Sequence, residues 1–332
     1  MDRTGNGMST LSDVADLAGV SKATASRALS RPELVAVDTR ERVVQAAATL
    51  DFAPSRVAQA LANGKTGLIA IVVPNLTNSF FAPIIEGAQE AAEQAGYQLT
   101  IAVRTLDADA DAAAIERLSH QVDGFLMTAP HAEEPVLRSV SALAPTVLVE
   151  REIDGIPSVI ADAATTFGRL ATELVDAGHR NIAYVGGPDG SWPDRRRTEA
   201  IRAAIGDRAT LTVVGPYPPV AESGFTAAPE VIACGATATI VYASAVSLGL
   251  MLALEARGVR TPQDMVVSGD ARMAKSIGTP GIPSIDVDGA ELGRTAMTLL
   301  LGALAARGRR DASAASHAPL VQTRIAVPLH WS

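Results

Sequence analysis

Apolar residues stand at Leu11, Val14, Ala15 and Ala18, the i, i+3, i+4, i+7 spacing of one helical face. Thr10 precedes them as an N-cap, with Asp13 three residues on, close to a capping box. Gly19 marks the stop of this helix, and Ser21 caps a second one predicted over Lys22 to Leu29. A third helix is predicted from about Asp38 to Leu50, packing Val43, Val44, Ala47 and Leu50 on the first two. From Leu68 the period changes. Leu68 to Val73 is a continuous apolar run, the mark of a strand buried on both faces. Helices over 81–96, 110–121, 167–177, 195–205 and 246–257 then alternate with strands over 98–103, 124–127, 146–149, 181–185, 211–214, 239–242 and 265–267. The chain closes on a strand-like stretch, 321–327. This βαβα rhythm is that of a doubly wound α/β fold, which binds ligands at the carboxyl ends of its strands.

At 332 residues the chain has room for two or three domains. Hydrophobic residues make up 48%, yet no run approaches the roughly 20 apolar residues that a membrane span requires. The first residues, MDRTGNGMST, are polar and lack a signal-peptide core, so a cytoplasmic protein with a disordered extension over 1–9 is expected. The single cysteine, Cys234, excludes an internal disulfide framework and reads as a small core residue. The net charge of −8 is unevenly spread. Residues 1–65 carry 8 Lys/Arg against 7 Asp/Glu, and the remainder 20 against 29. An acidic body discourages contact with phosphate except at the N-terminal segment.

Helix, Gly-containing turn, helix is the helix-turn-helix unit, whose second helix enters the DNA major groove. The residues themselves go further. D-V-A-x-x-A-G-V-S-x-x-T-x-S-R-x-L, from Asp13 onward, resembles the headpiece of the LacI/GalR family of bacterial transcriptional regulators. The likeness continues to the last strand. It implies an all-α helix-turn-helix headpiece (10–54) plus a hinge helix and linker (55–65), followed by an α/β two-lobed, periplasmic-binding-protein-like effector domain (66–332). Lobe 1 is expected over about 66–162 and 286–318, and lobe 2 over about 163–285 and 319–332. The crossings are placed near Ala161–Ala163, Ser284–Gly289 and Ala318–Leu320.

By the same resemblance, Lys22 and Ala23 reach base edges, with Thr24 and Arg27 also facing the groove. Lys22 donates to guanine O6 or N7, and the Ala23 methyl lies against a thymine methyl. Ser21 and the helix N-terminus hold a phosphate. Phe52-Ala53-Pro54-Ser55 resembles the family's G-Y-x-P-N, and the stretch from Arg56 to Ala62 its hinge helix. Seven residues are too few for a stable helix in water. In the family the hinge orders when two subunits meet over the minor groove, so Ser55, Arg56 and Ala58 are assigned to DNA, and Leu61 to the wedge that kinks the duplex. A dimer on a pseudo-palindromic operator follows, since no leucine heptads for a tetramer come after 327.

Family members clasp a small polar molecule between the lobes. Asn78-Ser79-Phe80-Phe81 resembles N-P-F-F and places Phe80 and Phe81 at the cleft mouth, though either ring suits a core equally well. Glu150 takes the place of a common cleft carboxylate, and Arg197 that of an arginine that grips hydroxyl or carboxylate. The departures carry information too. The family's Asn-Asp appears as Ser244-Ala245, and its Gly-Phe-Asp-Asp as Gly269-Asp270-Ala271-Arg272. Either Asp270 fills the sugar-binding aspartate position or Ala271 does and that contact is lost. The expected aromatic shelf between Pro216 and Val220 keeps only Tyr217. These losses argue against an ordinary hexose. They leave open a smaller, more apolar or anionic effector, or a sensor whose ligand response is altered or lost.

No enzyme constellation is expected. His120, His131, His179, His317 and His330 are scattered without metal spacing, and no G-x-S-x-G or G-x-G-x-x-G occurs. Glu133-Glu134 read as solvated loop acids. No cofactor or metal is called for. Repression is the expected sense of regulation, by resemblance.

Overall fold

The structure is a computed structural model that describes residues 9–30, 34–52, 65–106, 109–278, 281–310 and 321–331. The chain divides into two compact units, one ending at Gly67 and the other beginning at Leu68.

The first unit holds α1 (Leu11–Ala18), α2 (Lys22–Ser30) and α3 (Val37–Thr49). The Thr10 amide donates to the Asp13 carboxylate at 2.7 Å and the Asp13 amide donates back to the Thr10 hydroxyl, closing the capping box. Gly19 ends α1 in the left-handed region at φ 66°, a conformation that costs a residue with a Cβ about 1–2 kcal/mol. The Thr24 amide donates to the Ser21 hydroxyl at 3.1 Å, capping α2 as expected. Val14, Ala25 and Val43 are wholly buried where the three helices meet. The expectations for Val44 and Ser9 need correction. Val44 is 52% exposed, and Ala46, one helical turn after Val43, takes its place in the core. Ala36 stands at the N-cap of α3 with no side-chain bond. Ser9, assigned to the disordered extension, donates from its hydroxyl to the Leu50 carbonyl at 2.8 Å. The rest of that extension (1–8) and the hinge stretch lie outside the described residues.

The second unit is two lobes. Lobe 1 is built on β1 (Leu68–Val73), β2 (Gln98–Val103), β3 (Gly124–Thr128), β4 (Thr146–Val149), β5 (Ser158–Ala161) and β12 (Gln322–Ile325), in the order β12-β5-β4-β3-β1-β2 and parallel throughout. Lobe 2 is built on β6 (Asn181–Val185), β7 (Thr210–Val214), β8 (Ala238–Val241) and β9 (Val266–Val267), ordered β7-β6-β8-β9. A small sheet of β10 (Gly269–Asp270), β11 (Ser284–Ile285) and β13 (Leu329–His330) lies beside it. Helices α4 (Phe81–Gln94), α5 (Asp109–Ser119), α6 (Glu134–Leu143) and α12 (Gly289–Arg310) belong to lobe 1. Helices α7 (Ala163–Asp176), α8 (Trp192–Ile205), α9 (Ala221–Ala233), α10 (Ser244–Glu255) and α11 (Ala271–Ile277) belong to lobe 2. One apolar cluster runs from Ile69, Ile71 and Ile84 through Phe167 and Leu170 to Tyr184 and Ile240.

The third crossing differs from expectation. β12 pairs with β5 from Gln322 opposite Ser158 to Ile325 opposite Ala161, so this stretch is part of lobe 1, and the chain returns to lobe 2 only at β13. Alternation in the sequence shows a strand but not its neighbour, which tertiary pairing decides. Glu134 opens α6 and binds Arg138 one turn on, so it is not a loop acid. α12 runs through Arg310, with Leu300 and Leu304 buried along it. Cys234 is half-buried at the C-cap of α9, its thiol 3.2 Å from the Val231 carbonyl.

Candidate DNA-reading face and interlobe cleft

Helix α2 turns Ala25 and Ala28 into the core of the first unit, and this fixes what faces outward. Lys22, Ala23 and Arg27 are exposed, as is Ser21 at the cap, and Thr24 is half-buried with its hydroxyl 2.8 Å from that of Ser21. A compact cation, a methyl and a guanidinium thus project from one short helix whose N-terminal amides favour anions. Ser55, Arg56, Ala58 and Leu61 lie outside the described residues.

The second site is set by topology. In lobe 1 the loop after β1 carries Asn78 to Phe80, the loop after β3 Ala129, and the residue after β4 is Glu150. In lobe 2, α8 after β6 carries Arg197, Tyr242 and Ser244 follow β8, and Asp270 follows β9. All of these line one cavity of about 120 Å³ between the lobes. Strand order reverses beside β1 in one lobe and beside β6 in the other, so the cavity lies where doubly wound folds bind ligands. All six expected cleft residues, Phe80, Phe81, Glu150, Arg197, Ser244 and Asp270, line it. A second hollow of about 380 Å³ shares Glu150, Pro193 and Arg197 with it and reaches Trp192 and Arg324.

Arg197 is 7% exposed. Its guanidinium lies 4.8 Å from the Phe167 ring centroid and 4.7 Å from that of Tyr242, and it donates to the Tyr242 carbonyl at 3.1 Å. A supporting network holds α8 in place. Asp194 accepts from the Tyr184 hydroxyl and the Gly187 amide, each at 2.7 Å, and the Ser191 hydroxyl caps the helix and meets the Tyr242 hydroxyl at 3.1 Å. Burial, and next the Asp194 charge, push the Tyr184 phenol well above its usual value.

Glu150 is 2% exposed and takes the left-handed conformation at φ 58°, which a residue with a Cβ adopts at a cost of about 1–3 kcal/mol and chiefly at functional sites. The Ala161 amide donates to its carboxylate at 2.6 Å. Burial raises its pKa, against the opposing pull of the Arg197 charge and of that hydrogen bond. Asp270 is committed on both oxygens: one accepts from the Ser244 hydroxyl, the other from the Met273 amide at 2.7 Å as the N-cap of α11. It lines the cavity and Ala271 does not. Phe80 and Phe81 meet edge to face at 5.8 Å, and Phe81 is at once core and cavity wall.

Tyr217, the expected aromatic shelf, points elsewhere and donates its hydroxyl to Glu230 at 3.0 Å. The aromatic surface is supplied by Phe167 and Tyr242, which sequence reasoning missed. Tyr242 carried no signal of its own, since it falls inside the strand expected over 239–242 and stands one residue past β8 only in the structure. Phe167 carried none, since it sits in an apolar helical stripe that reads as core.

Residues 10–55 match the family of bacterial regulatory proteins of the lacI type, and residues 66–323 match the periplasmic binding proteins and sugar-binding domain of the LacI family. The chain belongs to the LacI family of bacterial transcriptional regulators. It is 30% identical over 307 residues to the ribose operon repressor of Escherichia coli K12, covering 89% of this chain and 92% of that protein. Its identity to catabolite control protein A of Streptococcus mutans is 30% over 303 residues, covering 88% and 90%. Among solved structures it resembles the Lac repressor dimer bound to operator and the anti-inducer ONPF, with a TM-score of 0.83, 27% identity and coverage of 97% and 98%. In this LacI-family regulator, then, the helix-turn-helix stands before a periplasmic-binding-protein-like domain, as the resemblance implied. Among the described residues no helix is long and apolar enough to cross a membrane.

Proposed function

We propose that this regulator is a dimeric repressor that grips a pseudo-palindromic operator through two headpieces and is modulated by a small molecule held between its lobes. The observation that carries the reading is one chain with both an outward-facing Lys22, Ala23 and Arg27 on a capped recognition helix and a cavity lined by Glu150, Arg197 and Asp270 at the switch points of a two-lobed fold. Lys22 and Ala23 read base edges, Ser21 and the helix N-terminus bind a phosphate beside them, and Thr24 and Arg27 also face the groove. Ser55, Arg56 and Ala58 continue the interface in the hinge, and Leu61 enters the minor groove. The solved relative that is a dimer on operator supports the two-fold arrangement. The protein acts in the cytoplasm, where its DNA is, and it binds its ligand without chemical change.

The ligand acts by population shift. One lobe arrangement brings the two hinges together and the other parts them; a ligand changes the balance only through different affinities for the two. The test is a selection of bound fragments from sheared genomic DNA with purified protein, followed by footprinting. Recovery of one palindromic motif supports the reading. Recovery of fragments with no common motif, bound only in a steeply salt-dependent manner, overturns it.

A further inference from the structure

The two lips of the cleft carry opposite charges that do not meet. Ser79, Pro83 and Glu86 of lobe 1 and Asp270, Arg272 and Ser276 of lobe 2 line one hollow. Ser79, Asp270 and Arg272 line the cavity as well, so the hollow opens onto the cleft mouth. Glu86 lies on α4 and Arg272 in the first turn of α11, and both are exposed. Among the described residues neither takes part in a hydrogen bond or an ion pair. The acids around them are engaged. On α4, Glu90 faces Arg294 of α12 at 3.6 Å and Glu93 accepts from Gln89 at 2.8 Å. The other acid of the hollow, Asp270, accepts on one oxygen from the Ser244 hydroxyl and on the other from the Met273 amide. Those two bonds also hold the first turn of α11 to lobe 2, so Arg272 travels with that lobe.

Resting on the two lobe arrangements of the regulator reading above, we propose that Glu86 and Arg272 are a latch: an ion pair, open in this structure, that forms as the lobes approach and favours the closed arrangement. A cation in the first turn of a helix opposes the helix dipole, so Arg272 is stabilised by an acid brought beside it. Glu86 is the acid that the opposite lip offers. Closure narrows the hollow and removes water from between the two charges, which strengthens their attraction. A pair still partly in solvent shifts the balance of arrangements about two- to fivefold. That sets how much ligand is needed to move the lobes and is too little to close them unaided.

Cross-linking of the full chain tests the contact. Arg272→Lys keeps the charge and supplies an amine, which a water-soluble carbodiimide joins to a carboxylate in contact with it through an amide bond, the reagent taking up the water as a urea. An equal mixture of ordinary and isotope-labelled chains of this variant is treated and digested. A peptide pair that joins position 272 to Glu86 within one chain is expected, and Glu86→Gln is expected to abolish it. No link at position 272, or one between chains only, overturns the proposal.

A charge-swap cycle on the selected palindrome tests the effect. Glu86→Arg and Arg272→Glu are each expected to shift operator affinity in the same direction by about two- to tenfold, and the doubly swapped chain to return to within about twofold of the parent. Lys275→Glu, at an exposed position of α11 that does not line the hollow, is the control, and its effect is expected to add to that of Glu86→Arg. Single variants without effect, or additivity in the swap, overturn the latch and leave the operator, and with it the regulator reading, standing. A chain that forms the 86–272 link yet selects no operator keeps the contact and loses the regulator reading alone.

Discussion

The guanidinium of Arg197 lies 4.7 Å over the ring of Tyr242 and donates to the carbonyl of that same residue at 3.1 Å. Tyr242 thus holds the cleft arginine twice, once by its ring and once by its backbone, and its hydroxyl reaches on to the Ser191 cap of α8 at 3.1 Å. A substitution that removes only the hydroxyl, Tyr242→Phe, is expected to cost about 1 kcal/mol of stability. Tyr242→Leu also removes the π-face beneath a desolvated cation and is expected to cost about 2–4 kcal/mol. Urea unfolding followed by circular dichroism measures both; equal losses for the two variants would contradict the stacking.

Glu150 makes the stability of the second unit depend on pH. Burial raises its folded pKa above the unfolded one, so across that interval the native state holds a proton that the unfolded chain has lost. Stability therefore falls as pH rises through this interval, from just above the ordinary carboxylate range. Glu150→Gln cannot ionise and escapes the fall. The free-energy difference between variant and parent is expected to move in favour of Gln as pH is raised from acid to neutral. A difference that stays constant, in unfolding titrations at several pH values, would show that the carboxyl is not desolvated.

The caps of the first unit give opposite outcomes at two positions. Ala36 leaves α3 without a side-chain acceptor, so Ala36→Ser is expected to stabilise it by about 1 kcal/mol. Gly19→Ala forces a Cβ into φ 66° and is expected to destabilise by about 1–2 kcal/mol. Hydrogen exchange of the α1–α3 amides in the full chain reads both changes directly.

One helix pair of the second unit is held together through two glycines. A Cβ on Gly249 would stand 2.0 Å from the Ala221 carbonyl oxygen, and one on Gly224 would stand 2.2 Å from the Leu250 amide nitrogen, so α9 and α10 meet backbone to backbone. Gly249→Ala is expected to cost about 3 kcal/mol or more through overpacking. Gly302, in α12, meets nothing within 4 Å, and Gly302→Ala is expected to stabilise by about 0.5–1 kcal/mol. A stable Gly249→Ala protein in chemical unfolding would refute the close approach.

How far the sequence was legible follows from the range of the forces involved. Thr10, Asp13, Gly19 and Ser21 act within one helical turn, and they mark the helix-turn-helix as it stands in the structure. The long buried strands were legible because Leu68 to Val73 is apolar on both faces. Elements decided by distant partners were not. β5 is four residues, and α9 carries Pro229 inside it and owes its place to Gly224 against α10. α11 exists where Asp270 caps it, yet the same residue read only as a candidate ligand contact. In the cleft the sequence supplied the polar residues, because their types and neighbours resemble the family. It supplied neither Phe167 nor Tyr242, since an aromatic residue in an apolar stripe or in a strand looks the same whether it faces core or ligand. That Asp270 is consumed by Ser244 was equally hidden, because the two are distant in sequence and meet only through the fold.

The central claim is that α2 reads DNA for a ligand-responsive regulator, and fluorescence-anisotropy titration of the selected palindrome tests it most directly. Wild-type protein, Lys22→Ala and Arg27→Ala are compared at several salt concentrations, with circular dichroism to verify that α1–α3 remain folded. Lys22→Ala is expected to lose about tenfold or more in affinity for the palindrome and much less for unrelated DNA, since its ammonium reads a base edge. Arg27→Ala, which removes a cation from the groove, is expected to weaken both and to lower the slope of log affinity against log salt. A folded Lys22→Ala protein that binds the palindrome as tightly as the parent would contradict the account.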